Sequence, residues 1–199
     1  MVESEPYNPL DTKNLGKSVK EALLESAMVP LGSLTRFSGS GIYAIYYAGG
    51  FPAYEHVRVV EGREKAVYVG KSDPEGTRKG GGKQGTSKSD TKLFQRLRQH
   101  ANSIEAAENL LLKDFFCRYL VVEPIWIPLG ESLLIAHHTP IWNTYLDGFG
   151  SHDPGSGRRN GKRSRWDTVH PGRSWASGLQ NNPDSAEQLV AEIYAQTAI

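Results

Sequence analysis

Three short runs decide most of what this chain can fold into. Residues 41–47 (Gly-Ile-Tyr-Ala-Ile-Tyr-Tyr), 66–70 (Ala-Val-Tyr-Val-Gly) and 115–122 (Phe-Phe-Cys-Arg-Tyr-Leu-Val-Val) are dense in β-branched and aromatic side chains and bounded by glycine or charge. That is the pattern of short strands, and it places Tyr43 and Tyr68 on strands. Between the second and third runs, Asp90 stands where it can cap a helix whose apolar stripe is Leu93, Phe94, Leu97, Ala101 and Ile104. Arg96 and His100, four residues apart, then share a neighbouring face of that helix. A further helix opens near Pro128 with Glu131 in its first turn, and it stops before Pro140 because the residue preceding a proline avoids helical geometry. Asn143 falls in the segment that leaves it.

Two more helices flank these elements. Residues 17–27 present Val19, Leu23 and Leu24 on one side, and Ser185 with Gln188 makes a capping box opening a last helix through Leu189, Val190, Ile193 and Tyr194. Both read as packing elements, with a dimer contact as the alternative use. The 199 residues, 38% of them apolar and 23% charged, suit one domain with a real core. No stretch approaches 18 apolar residues, and the start, Met1-Val2-Glu3-Ser4-Glu5, has neither a basic segment nor an apolar run, so a soluble, cytoplasmic protein is expected. Cys117, the only cysteine, lies in an apolar strand and is expected to be a buried structural thiol.

The formal net charge of +1 conceals a segregation along the chain. Residues 76–92 hold Arg78, Lys79, Lys83, Lys88 and Lys92 among five glycines with Asp90 as the one acid, and residues 155–173 hold Arg158, Arg159, Lys162, Arg163, Arg165 and Arg173 against Asp167 alone. Glycine lets backbone amides approach phosphates closely while Lys and Arg displace counterions, so both segments read as nucleic-acid contacts. The second, with Asn160, Trp166 and His170 interleaved, is the better suited to reading bases, since Arg matches guanine and Asn matches adenine. Alanine at Arg163 or Arg165 is then expected to relax or abolish site choice. No GxxxxGK[ST] spacing surrounds Gly70-Lys71-Ser72, which excludes a nucleotide-hydrolysing phosphate loop. His137 and His138 are adjacent and point apart, and the only cysteine is distant, so a zinc site is rejected.

Taken in order, Gly41-Ile42-Tyr43, Tyr68-Val69-Gly70, Arg96 with His100, Glu131 heading Ser132-Leu133-Leu134-Ile135, and Thr139-Pro140-Ile141-Trp142-Asn143 resemble the GIY-YIG nucleases, and among them the type II restriction endonucleases. Two features depart from the pattern: the segment 44–67 is longer than the family's short hairpin, and Val69 replaces a customary isoleucine. The resemblance implies an α/β (α+β) fold, a small central, mainly antiparallel three-stranded sheet flanked by helices with inserted DNA-binding loops. It divides the single domain, residues 1–199, into a catalytic core at 40–145 with insertions at 47–66 and 73–91, a basic DNA-recognition segment at 150–175, and flanking helices at 14–28 and 184–197.

The resemblance also implies roles. Glu131 would hold one Mg2+, with Mn2+ able to substitute, because this hard cation keeps several waters and borrows ligands from phosphate. Arg96 would stabilise the scissile phosphate, Tyr43 would act as general base with His100 relaying its proton, and Tyr68 would hydrogen-bond the phosphate or the water. Asn143 would hold Glu131 or a stretch of backbone in place, and Lys71 would join Arg78, Lys79, Lys83, Lys88, Arg158, Arg159, Lys162, Arg163 and Arg165 in contacting DNA. The expected reaction is Mg-dependent hydrolysis of double-stranded DNA by a homodimer on a short palindromic site, with no membrane partner. A nicking, repair or homing nuclease, a non-catalytic nucleic-acid binding module, and a structural domain with basic loops remain the alternatives.

Overall fold

A computed structural model describes residues 8, 10–61, 63–74, 90–153 and 161–198. Its centre is an antiparallel sheet of strands β1 (Val29–Pro30), β2 (Gly41–Tyr47), β3 (Ala66–Ser72) and β4 (Phe115–Val121), in the order β1-β4-β2-β3. The fold class is the expected one; the sheet has four strands where three were expected. The extra member, β1, pairs Val29 and Pro30 with Cys117 and Phe116 at the edge of the sheet, where a proline's missing N–H costs no internal ladder bond. Two residues are too short to show period-two alternation, so nothing in the sequence marked them.

β2 is buried along its whole length, because it lies between β3 and β4 and both faces of the sheet are covered. On one face, helices α1 (Thr12–Glu25) and α3 (Ile127–His138) pack Leu23, Ile127 and Leu134 against Ile42, Ala44, Tyr46, Ala66 and Val69. On the other, helix α2 (Lys92–Ala106) sets Leu93, Leu97, Ala101 and Ile104 against Tyr43, Ile45, Tyr47 and Val67. The same cluster takes in Trp142, Phe149, Trp166, Leu189 and Ile193 from the C-terminal third of the chain. Each such side chain contributes about 1.5–3 kcal/mol on full burial, so this third is part of the core. Close packing also explains Gly41: a Cβ there would stand 2.0 Å from the Leu120 carbonyl oxygen of β4.

The long segment between β2 and β3 does not prevent them from pairing. Gly41 to Ile45 face Ser72 to Tyr68 in register, and the register then slips so that Tyr46 faces Ala66. The slip leaves Val67 as an extra residue, a bulge. Val67 and Tyr68 consequently both pack toward α2, while Ala66 and Val69 pack toward α3. The segment itself turns inward through a 3-10 turn at Pro52–Tyr54. Tyr54 is completely buried, accepts from Trp142 Nε1 at 2.9 Å and hydrogen-bonds His170, whose Nδ1 pairs with Asn109 Oδ1 at 2.8 Å. The insertion at 47–66 thus braces the core instead of standing out from it.

The remaining elements match the sequence with local corrections. Asp90 Oδ1 accepts the Lys92 N–H at 2.9 Å, although Thr91 is the cap residue of α2. Phe94 leaves the expected stripe and packs edge-on against Phe37 at 5.7 Å. α3 begins at Ile127, one residue before Pro128, after a 3-10 turn at Pro124–Trp126, so Glu131 is its fifth residue and lies in the second turn. α3 ends on Thr139, whose φ of 45° is left-handed, and Pro140 follows. Asn143 sits inside a short helix, α4 (Ile141–Thr144). Short helices α5 (Arg165–Val169) and α6 (Ser174–Ser177) lead to α7 (Ala186–Thr197), which opens with the Ser185–Gln188 capping box. Cys117 is buried, and burial pushes its thiol up to about 12. Among the described residues no helix is long and apolar enough to cross a membrane.

Candidate active site

β2 and α2 bring Tyr43 and His100 together at the centre of the sheet's α2 side. The Tyr43 hydroxyl and His100 Nε2 are 2.6 Å apart, both groups buried. Burial, followed by the neighbouring Tyr68, drives the Tyr43 phenol well above its ordinary value, with Arg96 opposing the shift. Burial, reinforced by Arg96, His152 and Arg173, drives His100 well below its ordinary value. The phenol is therefore protonated and the imidazole neutral, so the bond joins two uncharged groups, and Tyr43 O–H donates to Nε2 in the His100 tautomer that carries its proton on Nδ1. Gly70 makes room for this hydroxyl, since a Cβ at that position would lie 2.4 Å from the Tyr43 oxygen.

Tyr68 and Arg96 complete the group. The Tyr68 ring lies 6.2 Å from that of Tyr43 and 5.1 Å from that of His100. Burial raises its phenol, Arg96 acts against this, and Glu131 adds to it, so Tyr68 feels both the guanidinium and the carboxylate. Arg96, one turn before His100 on α2, donates from Nη2 to the Gly150 carbonyl at 2.9 Å and from Nη1 to His152 Nε2 at 2.5 Å. Phe149 lies flat on His100, with centroids 4.6 Å apart and planes 19° from parallel.

Asn143 and Glu131 act on β3. The Asn143 side chain accepts the Val69 N–H at 2.8 Å and donates to the Val69 carbonyl at 2.9 Å, in the manner of a further strand along the outer edge of the sheet. Of the two roles considered for it, holding a backbone is the one its geometry realises. Glu131 Oε2 lies 3.1 Å from Lys71 Nζ, so the lysine reaches the carboxylate. Among the described residues no group of three or more His, Cys, Asp or Glu is gathered in a way that could hold a metal. A single partly exposed carboxylate fits Mg2+, whose other ligands come from water and phosphate, and does not fit a tetrahedral zinc site. His138 is otherwise engaged, its Nδ1 accepting the Ala66 N–H at 3.3 Å and its ring lowered to about 4, mainly by burial.

Six of the basic residues expected at DNA, Arg78, Lys79, Lys83, Lys88, Arg158 and Arg159, lie outside the described residues, as does Asn160. Lys162 is exposed next to a backbone bridge with Gln180. Arg163 donates from Nε to the Ala176 carbonyl at 3.3 Å, and Arg165 donates to the Tyr145 carbonyl at 2.7 Å and pairs with Glu192 of α7. Two companions proposed for base reading are corrected outright. Trp166 and His170 are both fully buried, and burial lowers His170 to about 3, so neither faces a ligand.

The sequence reading passed over residues 148–152, which bring Phe149, Gly150 and His152 against His100, Tyr68 and Arg96. Its one signal was an aromatic residue, Phe149, bracketed by Gly148 and Gly150 just past Asn143. A family model described as the Eco29kI GIY-YIG domain matches residues 35–197. No curated protein matches the chain.

Proposed function

The chain belongs to the Eco29kI GIY-YIG domain family, a GIY-YIG restriction endonuclease family, and from that premise we propose that it is a type II restriction endonuclease. It hydrolyses phosphodiester bonds of double-stranded DNA at a short symmetric site, as a homodimer and with Mg2+. The observation that carries this reading is the buried 2.6 Å hydrogen bond between Tyr43 and a neutral His100, with Arg96 and Tyr68 converging on it.

Tyr43 takes a proton from the attacking water as its own hydroxyl proton passes to His100 Nε2. A phenolate beside an imidazolium at rest would span about 3.5 pKa units even at ordinary values, about 5 kcal/mol, and burial widens that gap from both sides. A coupled transfer needs no resting phenolate. Arg96 is one of the charges that depress His100, so a phosphate that engages Arg96 makes the relay's terminal acceptor more basic. The same guanidinium stabilises the charge that grows on the phosphate. Tyr68, between Arg96 and Glu131, hydrogen-bonds the phosphate or the water. Glu131 is the residue that would hold Mg2+, with Lys71 beside it, and the ion would supply Lewis-acid stabilisation of the departing oxygen. Asn143 keeps β3, and with it Tyr68 and Lys71, in register. The basic segments supply the duplex contacts, 76–92 chiefly affinity and 155–173 specificity through Arg158, Arg159, Lys162 and Arg163, since Arg165, Trp166, His170 and Arg173 are engaged in the fold.

The test is plasmid DNA with Mg2+ followed by sequencing of the ends. Discrete ends are expected, and Tyr43→Phe should bind DNA but lose cleavage; random ends would sink the restriction reading. Nicked plasmid as the stable product would select a nicking enzyme, and binding without cutting in Mg2+ or Mn2+ a binding module.

A further inference from the structure

We propose that Arg173 and the turn it anchors, residues 148–152, are a positioning device for the Arg96 guanidinium, an inference that rests on the nuclease reading of this site. Arg173 is almost fully buried and its five N–H donors are all used. Nε donates to Asp167 Oδ1 at 2.6 Å and Nη2 to Asp167 Oδ2 at 2.7 Å. The other three go to the carbonyls of Gly148 at 2.9 Å, Phe149 at 3.1 Å and Ser151 at 3.2 Å. Its Cζ lies 4.6 Å from the centroids of both Trp166 and Trp175. A charge taken this far out of water needs every donor met, and most of what meets it is the backbone of one short turn.

That turn presents its other groups to the site. The Gly150 carbonyl and His152 Nε2 accept from the two terminal nitrogens of Arg96, and Phe149 lies flat on His100. The shape of the turn depends on Gly148, whose φ is +100°, and on Gly150, where a Cβ would meet the Tyr68 hydroxyl at 2.7 Å. A flexible arginine on α2 is thus set in place by residues that follow the GIY-YIG motif positions. Within residues 40–145 Arg96 meets Gln99 Oε1 at 3.3 Å on its own helix and the phenols of Tyr43 and Tyr68, while its shorter bonds to Gly150 and His152 come from the turn.

The experiment uses the full chain with Arg173→Lys and His152→Ala. Lysine keeps the charge beside Asp167 but offers three donors in place of a planar fork, so some turn carbonyls lose their partner. His152→Ala removes one acceptor from Arg96 at an exposed position and leaves the core intact. The Arg96 guanidinium is followed by side-chain 15N NMR in the DNA-free protein, with its signal assigned by loss in Arg96→Lys, and single-turnover cleavage and DNA affinity are measured alongside. Both variants should free the Arg96 guanidinium to rotate and slow cleavage by about 10- to 100-fold, as expected for a misplaced catalytic group, with less change in affinity. A purely structural role for Arg173 predicts lower Tm with the Arg96 signal unchanged. Unchanged Arg96 signals, or wild-type cleavage by folded variants, overturn the proposal, and should Arg173→Lys not fold, His152→Ala decides it. A wild-type chain that cuts no DNA refutes the nuclease reading, and the NMR comparison then decides the positioning alone.

Discussion

Replacing Asn143 by aspartate leaves size and shape almost unchanged and exchanges the amide donor for an acceptor. In the wild type, Oδ1 accepts from Val69 N–H at 2.8 Å and Nδ2 donates to the Val69 carbonyl at 2.9 Å. Aspartate keeps the first bond and sets a carboxylate oxygen against a carbonyl oxygen in place of the second. One lost hydrogen bond is worth about 1 kcal/mol, and confronting two acceptors in a half-buried place adds about 1–3 kcal/mol. For a chain of this size each kcal/mol moves Tm by roughly 2–4 °C, so a fall of about 4–16 °C is expected. β3 is an edge strand carrying Tyr68 and Lys71 on either side of Val69, so strand displacement should also lower the single-turnover cleavage rate by at least about tenfold. Asn143→Ala removes both bonds without adding a repulsion and leaves backbone groups that water can reach. Aspartate should therefore be no milder than alanine in a thermal melt at pH 7. An Asn143→Asp protein that melts and cuts like the wild type, beside a damaged Asn143→Ala, would refute the reasoning, because the donor could not then matter.

Gly70→Ala should disrupt the site from the opposite direction: its methyl would need the space 2.4 Å from the Tyr43 hydroxyl, so cleavage should fall by about 100-fold and stability by about 1–3 kcal/mol, and a wild-type rate would exclude the close approach. Stability should decline in mild acid. His100, His138 and His170 have folded-state values depressed below 6.5, to about 4 for His138 and about 3 for His170, so they stay neutral in the fold while the unfolded chain takes up protons. Their contribution is complete above about pH 6.5 and is lost as pH falls toward 4, at about 1.4 kcal/mol per pH unit for each histidine; a Tm flat between pH 7 and 5 would contradict it. Arg165→Ala should lower Tm by removing the hydrogen bond to the Tyr145 carbonyl and the tie to Glu192. An unchanged Tm with altered cutting sites would return Arg165 to base reading.

The legible parts of the molecule are those with a local cause. Alternating aromatic and β-branched residues marked β2, β3 and β4, the Ser185–Gln188 box marked the start of α7, and the order of six residue types marked the site. The parts that escaped have non-local causes. β1 exists because β4 offers it an edge, not because Val29–Pro30 is a strand by pattern. Trp166 and His170 looked like base readers because basic residues surround them, but burial depends on Tyr54 and Trp142, distant in sequence, closing over them. Residues 47–66 were hard to place for the same reason: the Tyr54 hydroxyl is met in the core by partners that follow it by 88 and 116 positions.

The two halves of the candidate site sit on opposite faces of one strand, and a single irregularity lets that strand serve both. Along a regular β3, neighbouring side chains would alternate strictly between the α2 side and the α3 side. The slip opposite Ile45 and Tyr46 inserts Val67, so that Val67 and Tyr68 both join the α2 side with Tyr43 and His100. Beyond it alternation resumes: Val69 packs toward α3, Gly70 leaves space over Tyr43, and Lys71 meets Glu131 of α3. Tyr68 on one side and Lys71 on the other are held by the same few residues, whose free edge Asn143 closes through Val69. The strictest requirements of this strand are therefore geometric: a glycine that yields room, an edge that is paired, and one extra residue that sets the phase.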